Sequence, residues 1–202
     1  MKFVLSSQNK KKLEEMSRIL EPMGIELVTA ADMGFTEDVE ETGTTFEENA
    51  FIKAEAACKA LGMPAIADDS GLCVDYLDGA PGVYSARFAG EQHDDEMNND
   101  KLLSLLDGVP KQQRSAKYVS VICTVFPDGR SFCVRGECHG YIGTRRQGSG
   151  GFGYDPLFIV EGSDRTFGEY SPSEKDAVSH RGNSLRKLER ELPKYLEEIN
   201  DK

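Results

Sequence analysis

Two adjacent carboxylates, Asp68 and Asp69, follow a short apolar stretch and precede Ser70-Gly71. Neighbouring carboxylates repel each other unless a proton or a cation lies between them. Mg²⁺ prefers oxygen ligands, takes one or two protein carboxylates and completes its shell with water and phosphate. An Asp-Ser-Gly turn explains the same residues without any chemistry. The local pattern therefore leaves a metal site and a plain turn both open.

A second acidic segment spans residues 36–52, which contain six carboxylates and no basic residue. Two of these, Glu47 and Glu48, have a structural explanation because they complete overlapping capping boxes with the threonines before them. Glu40 and Glu41 have no such explanation. A metal held by one of this second pair, by the adjacent aspartates and by a phosphate would account for both acidic features. A solvated acidic loop is the simpler alternative.

Basic residues stand at two predicted helix starts. Lys10 to Lys12 follow residues 6–9, where a predicted strand gives way to a helix, and His180 and Arg181 begin the last helix. A helix N-terminus already carries unpaired N–H groups and about half a positive charge, so cations there oppose helix stability. A bound polyphosphate would relieve this conflict. Lysines that simply extend into water are the alternative, and the glycines of a P-loop are missing.

An aromatic and glycine-rich loop, Gly148 to Asp155, precedes a short predicted strand. Glycines allow close approach of a backbone, and Phe152 or Tyr154 offers a ring face on which a nucleobase can stack. Both aromatic residues also suit a hydrophobic core. The loop by itself therefore leaves base stacking and core packing open.

The composition limits the classes of function. There are 24 Lys plus Arg against 35 Asp plus Glu, which gives a formal charge of −11, and the sequence pI is about 4.8. This balance disfavours a duplex-DNA binder, which needs a basic face. A local basic pocket for a small anion is compatible with it. The length of 202 residues predicts a single domain, 1–202, with room for a small second lobe.

The number and spacing of the cysteines and the length of the apolar runs indicate the cellular compartment. Five cysteines with no C-x-x-C pair predict reduced thiols in a cytoplasmic protein. Three scattered histidines disfavour a zinc cluster. The apolar runs are too short for a secretory signal or a membrane helix. We therefore expect a cytoplasmic protein with neither a nucleic-acid polymer nor a membrane as its partner.

Strands alternate with helices in the first part of the chain, and a hairpin follows. The predicted strands are 2–6, 25–29, 65–67, 72–76, 117–126, 130–138 and 157–160, and the predicted helices follow residue 9, begin at 46, cover 94–106 and begin near 179. This order predicts an α/β fold with a mixed sheet flanked by helices. Pro193 is expected to kink or end the last helix.

Six motifs occur in order along nearly the whole chain. They are SSQNKKKLEE (6–15), EETGTTFEENAFIKA (40–54), PAIADDSGLCVD (64–75), GAPGVYSARFAG (79–90), GGFGYDPLF (150–158) and SPSEKDAVSHRG (171–182). With these motifs the chain resembles the inosine triphosphate pyrophosphatase family. The resemblance implies a central curved mixed β-sheet, two lobes with an active-site cleft between them, and a homodimer. It also implies Mg²⁺-dependent hydrolysis of ITP, dITP and XTP to the monophosphate and pyrophosphate, which keeps these nucleotides out of DNA and RNA.

The resemblance further implies roles for individual residues. Asp69 would accept the proton of the attacking water, Glu40 and Asp69 would bind the metal, and Ser70 would touch the substrate. Asp68 would give support, and the choice between Asp68 and Asp69 as the general base stays open. The implied substrate-binding residues are Ser7, Gln8, Asn9, Lys10, Lys11, Lys12 and Lys53 for the triphosphate, and Phe152, Gly153, Tyr154, Asp155, Lys175, His180 and Arg181 for the base.

Two other hypotheses fit the same residues. A general metal-dependent phosphatase would release orthophosphate and show little preference among bases. A nucleotide sensor would bind purine nucleotides without turnover. The combined acidic motifs favour catalysis over sensing.

Overall fold

The computed structural model describes residues 1–7, 10–90 and 93–200. Within these residues the strands are β1 Lys2–Leu5, β2 Glu26–Thr29, β3 Ala65–Val74, β4 Ser115–Val125, β5 Ser131–Ile142 and β6 Phe158–Val160. The α-helices are α1 Lys10–Leu20, α2 Phe46–Leu61, α3 Asp95–Leu105, α4 Pro172–Val178 and α5 His180–Asn200. None of these helices has the length and apolarity needed to cross a membrane.

The described strands form a six-stranded sheet in the order β2-β1-β3-β4-β5-β6. Strand β1 pairs in parallel with both β2 and β3, whereas β5 and β6 are antiparallel. The sheet is therefore mixed, and the predicted α/β class is confirmed. The curvature and the cleft implied by the family resemblance stay predictions.

The chain is divided into two compact units. The first contains the described residues of Met1–Asp69, Val121–Arg135 and Ser184–Lys202, and the second contains those of Ser70–Ser120 and Gly136–Asn183. The largest core of the first unit is built from Phe3, Leu5, Met16, Leu20, Ile25, Leu27, Ile66, Ile122, Phe126, Val134, Leu185, Leu188 and Leu192. The core of the second includes Leu72, Val74, Leu102, Leu106, Tyr118, Leu157, Phe158 and Phe167. Each unit thus has a hydrophobic core of its own.

Helix α2 begins at the capping box that the sequence predicts. Thr45 accepts a hydrogen bond from the backbone of Glu48, and the Glu48 carboxylate accepts the backbone N–H groups of Thr44 (2.7 Å) and Thr45 (3.1 Å). These bonds, led by that from Thr44, hold the pKa of Glu48 below its ordinary value. The next residue, Asn49, is fully buried and its Oδ1 accepts the N–H of Gly43 at 2.8 Å. The start of α2 thereby fixes Gly43, in the part of the acidic segment that precedes the helix.

Two local predictions need correction, and one capping box was not predicted. Strand β3 runs without a break through residues 65–74, so Asp68 and Asp69 lie inside a strand and the Asp-Ser-Gly turn is wrong. Of the two effects expected of Pro193, a kink or an end of the last helix, the second is wrong, because helix α5 continues past Pro193 to Asn200. Helix α4 follows a capping box of Ser171 and Glu174 that the sequence analysis did not identify.

The prediction of five reduced thiols is also wrong. Cys123 in β4 and Cys133 in β5 form a disulfide across the hairpin. Residues on adjacent strands of a hairpin face each other even when they are well separated along the chain. The C-x-x-C criterion therefore could not detect this pair. Cys58, Cys73 and Cys138 are not in disulfides.

Arg114 is a buried guanidinium at the start of β4 in the second unit. It donates hydrogen bonds to the main-chain oxygens of Leu106 (2.6 Å), Ile142 (2.7 Å) and Gly143 (2.6 Å). Burial lowers the pKa of this guanidinium. The bonds join the end of α3 to the end of β5.

Candidate active site

Asp68 and Asp69 are adjacent in β3, and their carboxylates contact lysines on two different helices. Successive side chains of a strand point to opposite faces of the sheet. Asp68 Oδ2 lies 2.9 Å from Lys12 Nζ of α1, and Asp69 Oδ1 lies 3.9 Å from Lys53 Nζ of α2. The two aspartates are only 2% and 9% exposed. Because an ionised carboxylate at such burial needs a cationic partner, the lysines account for the placement of this acidic pair.

Lys53 also contacts the acidic segment before α2. Its Nζ lies 2.6 Å from Glu41 Oε1, so one ammonium group stands between Glu41 and Asp69. Glu40, by contrast, is exposed. The local pattern left Glu40 and Glu41 equivalent, since neither had a structural role, and the family resemblance implied Glu40 as the metal ligand. The structure adds Glu41 to the candidate site residues.

A cavity of about 420 Å³ lies beside this cluster in the first unit. Its size falls in the usual range for small-molecule sites. The residues that line it are Ser6, Ser7, Ala30, Ala31, Phe35, Thr36, Glu37, Asp38, Val39, Glu41 and Lys53. Two predicted triphosphate-binding residues, Ser7 and Lys53, therefore share one cavity with Glu41.

Three further predicted triphosphate residues, Lys10, Lys11 and Lys12, belong to the first turn of α1. Lys10 is its first residue, which confirms that the lysines occupy the first turn of a helix. Lys12 contacts Asp68, as described above. Gln8 and Asn9 lie outside the described residues. Ser70 is half-buried within β3.

The donor set fits a hard divalent cation. Among the described residues, no group of three or more His, Cys, Asp or Glu side chains is arranged to hold a metal. Zn²⁺ sites need such a set, but Mg²⁺ uses one or two carboxylates together with phosphate oxygens and water. Asp69 and Glu41 supply carboxylate oxygens, and the ammonium group of Lys53 already lies between them as a cation. The residues present thus fit Mg²⁺ accompanied by a phosphate ligand.

A second cluster lies in the second unit around the glycine-rich loop. The buried Asp155 carboxylate accepts hydrogen bonds from Lys175 Nζ (2.5 Å) and from the backbone N–H of Phe152 (2.8 Å). The Phe152 ring is 55% exposed. Its centroid is 4.6 Å from Lys175 Nζ and 5.9 Å from Arg181 Cζ. An exposed aromatic ring beside two cations can stack with a planar base.

The two aromatic residues of this loop have different surroundings. Tyr154 is 3% exposed and its hydroxyl donates to Ser85 O at 2.7 Å, so its side chain belongs to the core. Burial raises the pKa of Tyr154. Phe152 is exposed and stays the candidate stacking surface. The sequence left core packing and base stacking open for both, and burial separates them.

His180 is buried at the first position of α5 and stacks on Tyr118. Their ring centroids are 4.7 Å apart and the planes differ by 11°. Burial, and next the charge of Asp155, raise the pKa of the Tyr118 hydroxyl. The structure therefore places five predicted base-binding residues around one aromatic cluster of the second unit: Phe152, Asp155, Lys175, His180 and Arg181.

Comparison with known proteins identifies the family of the chain. The sequence model of the Ham1 family matches residues 3–191. The chain belongs to the Ham1 family.

The Ham1 relatives have similar lengths to this chain. The dITP/XTP pyrophosphatase of Bacillus subtilis (strain 168) is 48% identical over 94% of this chain and 96% of its own length. The dITP/XTP pyrophosphatase of Desulforamulus reducens is 52% identical over 93% of each chain. These names confirm the family resemblance carried by the sequence motifs.

The Ham1 fold is also seen in solved structures. The Ham1 protein of Staphylococcus aureus superposes with a TM-score of 0.91 at 40% identity, over 96% of this chain and all of the other. The architecture described above is therefore that of the Ham1 family.

Proposed function

We propose that this Ham1 family member hydrolyses the non-canonical purine nucleoside triphosphates ITP, dITP and XTP to the monophosphate and pyrophosphate. The observation that carries the proposal is the ammonium group of Lys53 between Glu41 and Asp69, beside a cavity that Ser7 also lines. The relatives named dITP/XTP pyrophosphatase support it. Removal of such nucleotides would keep them out of DNA and RNA.

The basic residues of the first unit would bind the triphosphate. This group carries about four negative charges, which must be neutralised before a nucleophile can approach. Lys12, Lys53 and Ser7 are supplied by α1, α2 and the residues after β1. Asp69 would orient the attacking water and accept its proton. Its neighbour Asp68 would hold Lys12 in place through their 2.9 Å contact.

The carboxylates of the first unit would hold Mg²⁺. Asp69 with Glu40 is the pair implied by the family resemblance, and Glu41 is the further candidate from its contact with Lys53. When bound, Mg²⁺ neutralises phosphate charge and lowers the pKa of a bound water. The lysines would then share with the metal the charge of the polyphosphate.

The cluster of the second unit would select the base. Hypoxanthine and xanthine present a 6-oxo acceptor, whereas adenine presents a 6-amino donor at the same place. Donors from Lys175 or Arg181 would pair with the 6-oxo group of hypoxanthine or xanthine. The 6-amino group of adenine would instead face a donor with which it cannot pair. Buried polar groups left unpaired in this way reject a ligand strongly. Phe152 would supply the ring face under the base.

Pyrophosphate release from ITP, XTP, dITP, ATP and GTP, each with Mg²⁺, tests the proposal on one purified sample. We expect pyrophosphate from the first three and little from ATP. Release of orthophosphate without base preference would instead identify a general phosphatase. Binding of ITP without turnover, unchanged in Asp69→Asn, would identify a sensor. Omission of Mg²⁺ should abolish release, and Mn²⁺ added back serves as a control for the divalent requirement.

We also infer that the chain is one catalytic domain in the cytoplasm and, from the family resemblance, a homodimer. The mass of the purified protein in solution tests the dimer. A mass of about twice 22.3 kDa is expected.

A further inference from the structure

Helix α3 holds the backbone of Gly153, the residue next to the exposed Phe152. The N–H of Gly153 donates to Asp95 Oδ2 at 2.7 Å, and its carbonyl accepts from Asn99 Nδ2 at 2.9 Å. Both backbone polar groups of one glycine are thus satisfied by two side chains of one helix. Gly153 has a φ of +59°, a left-handed conformation that L side chains rarely adopt. The loop is therefore fixed at a backbone position that glycine suits best.

Asp95 and Asn99 are four residues apart, which places them on the same face of α3. Asn99 is 1% exposed, and its Nδ2 also donates to Asp95 O at 2.8 Å. The carbonyl oxygens of Asp95 and Gly153 both accept from Nδ2. They fix the orientation of the amide, since only its nitrogen end can donate to them. Asn99 therefore contacts the loop through its NH₂ group.

Phe152 is connected to this attachment through the backbone. Its own N–H is bound by Asp155, one residue beyond the buried Tyr154. Gly153 thus lies between Phe152 and a buried side chain, and its position sets where the Phe152 ring can lie. Neither Asp95 nor Asn99 has a described contact with that ring, so they would act on it only by positioning the loop.

We propose that Asn99 and Asp95 are positioning residues that set the purine selectivity of the site by fixing Gly153 and the Phe152 ring. This inference rests on the proposed function. Stacking tolerates any base, whereas pairing with the 6-oxo group depends on where the base edge lies. If the ring shifts, ITP loses its edge contacts, and ATP, which has none of them, loses less.

The adjacent asparagine provides a matched control. Asn98 is 2% exposed on the same helix, and its amide also binds two backbone groups, Ala89 N (2.7 Å) and Ala86 O (3.1 Å). These groups belong to a different segment. Asn98→Asp and Asn99→Asp each remove a buried NH₂ donor without a change in side-chain size. A change in kinetics that both variants share reports structural damage. A change found only in Asn99→Asp reports the effect on the loop that carries Gly153.

The experiment compares steady-state pyrophosphate release from ITP and ATP by Asn99→Asp, Asn98→Asp and the wild type. We expect Asn99→Asp to raise the KM for ITP about tenfold and to lower the ITP-to-ATP ratio of kcat/KM at least about fivefold. Its kcat for ITP should stay within about threefold of the wild type, because Asn99 is not among the residues proposed to bind the phosphates. Asn98→Asp should keep the wild-type ratio.

Asp95→Ala provides a second variant that does not depend on a buried substitution. Asp95 is exposed, so its removal keeps the core intact. We expect the ITP-to-ATP ratio of kcat/KM to fall as in Asn99→Asp. The KM for ITP should rise less, because only the bond to the Gly153 N–H is lost. Equal ITP-to-ATP ratios in the wild type, Asp95→Ala and folded Asn99→Asp would overturn the inference. A wild type that releases no pyrophosphate from ITP would instead overturn the proposed function.

Discussion

Lys53 and Lys59 lie on the same helix, α2, but their ammonium groups have different surroundings. Lys53 is 16% exposed and contacts Glu41 and Asp69, whereas Lys59 is 71% exposed and pairs with Glu55 at 2.8 Å. Exposed pairs of the second kind contribute about 0–1 kcal/mol. The same substitution can therefore be made at Lys53, in the candidate site, and at Lys59, on a solvated face of the same helix.

We expect Lys53→Gln to raise the KM for ITP about tenfold or more, since a charge-assisted contact with the triphosphate is lost. Lys59→Gln should change kcat and KM by less than about twofold. Pyrophosphate release as a function of ITP concentration measures both. Equal kinetics in the two variants would remove Lys53 from the site.

Asp69→Asn and Asp68→Asn should differ in which kinetic constant changes. We expect Asp69→Asn to lower kcat by about 10²–10⁴-fold because the proton acceptor is lost. Asp68→Asn releases Lys12 and should chiefly raise KM. Single-turnover measurements with saturating enzyme separate the chemical step from binding. A larger loss of kcat in Asp68→Asn would make Asp68 the general base.

Gly43→Ala should damage activity more than stability. A Cβ atom at Gly43 would lie 2.6 Å from both Asn49 Oδ1 and Glu48 Cβ, so the segment that carries Glu41 must shift. We expect kcat/KM to fall about tenfold or more as Glu41 leaves Lys53.

A glycine with open space around it serves as the control. Gly24 has a φ of +75°, and a Cβ atom there would have no atom within 4 Å apart from those of Gly24 and its chain neighbours. Gly24→Ala should cost about 1 kcal/mol of unfolding free energy through backbone strain and keep full activity. Thermal melts and ITP turnover of both variants test this. The prediction is wrong if Gly43→Ala keeps wild-type kcat/KM.

Glu174 should make the stability of the protein depend on acid pH. The N–H of Ser171, and then the guanidinium of Arg165, lower the pKa of Glu174 from 4.5 to about 2. Because the folded pKa is the lower one, the unfolded chain takes up a proton first as the pH falls from about 4.5 towards 2. Wild type should therefore lose stability in this window.

The variant Glu174→Gln cannot titrate at this position. We expect its unfolding midpoint to lie below that of the wild type at pH 7 and the difference to shrink as the pH approaches 2. Thermal unfolding by circular dichroism at several pH values measures the difference. A constant difference from pH 7 to 2 would contradict the shifted pKa.

The disulfide between Cys123 and Cys133 should be visible in a count of thiols. Denatured, unreduced protein should react with three equivalents of an alkylating reagent, and reduced protein with five. In the folded state Cys138 should react slowly, because burial raises the pKa of its thiol to about 11. Mass spectrometry after alkylation identifies each site. Five thiols before reduction would restore the prediction made from the sequence.

Local spacing makes some features predictable from the sequence, although the Ser171 and Glu174 box, which has the same spacing, was not identified. The Thr45 and Glu48 box depends on residues three apart, so its pattern is visible in the chain. The same holds for the basic first turns of α1 and α5. The family motifs then brought together residues that spacing alone could not connect.

Features set by tertiary contacts were missed. The Asp-Ser-Gly pattern is common in turns, which kept a turn open as an alternative. Strand β3, which lies between β1 and β4, continues through these residues. The pairing of Cys123 with Cys133 depends on the register of a hairpin. The different exposures of Phe152 and Tyr154 depend on what packs against the loop. Each outcome is decided by neighbours distant in the chain.

Arg114 binds main-chain oxygens of Leu106, Ile142 and Gly143, and every residue type has such an oxygen. Substitutions at Leu106 or Ile142 that keep the backbone path leave these bonds intact. Lysine has no rigid fork of donors, so it cannot replace Arg114 there. We therefore expect Arg114 to tolerate no exchange, whereas the buried Leu106 and Ile142 accept apolar residues of similar volume. A saturation library scored for folded protein would make this asymmetry measurable.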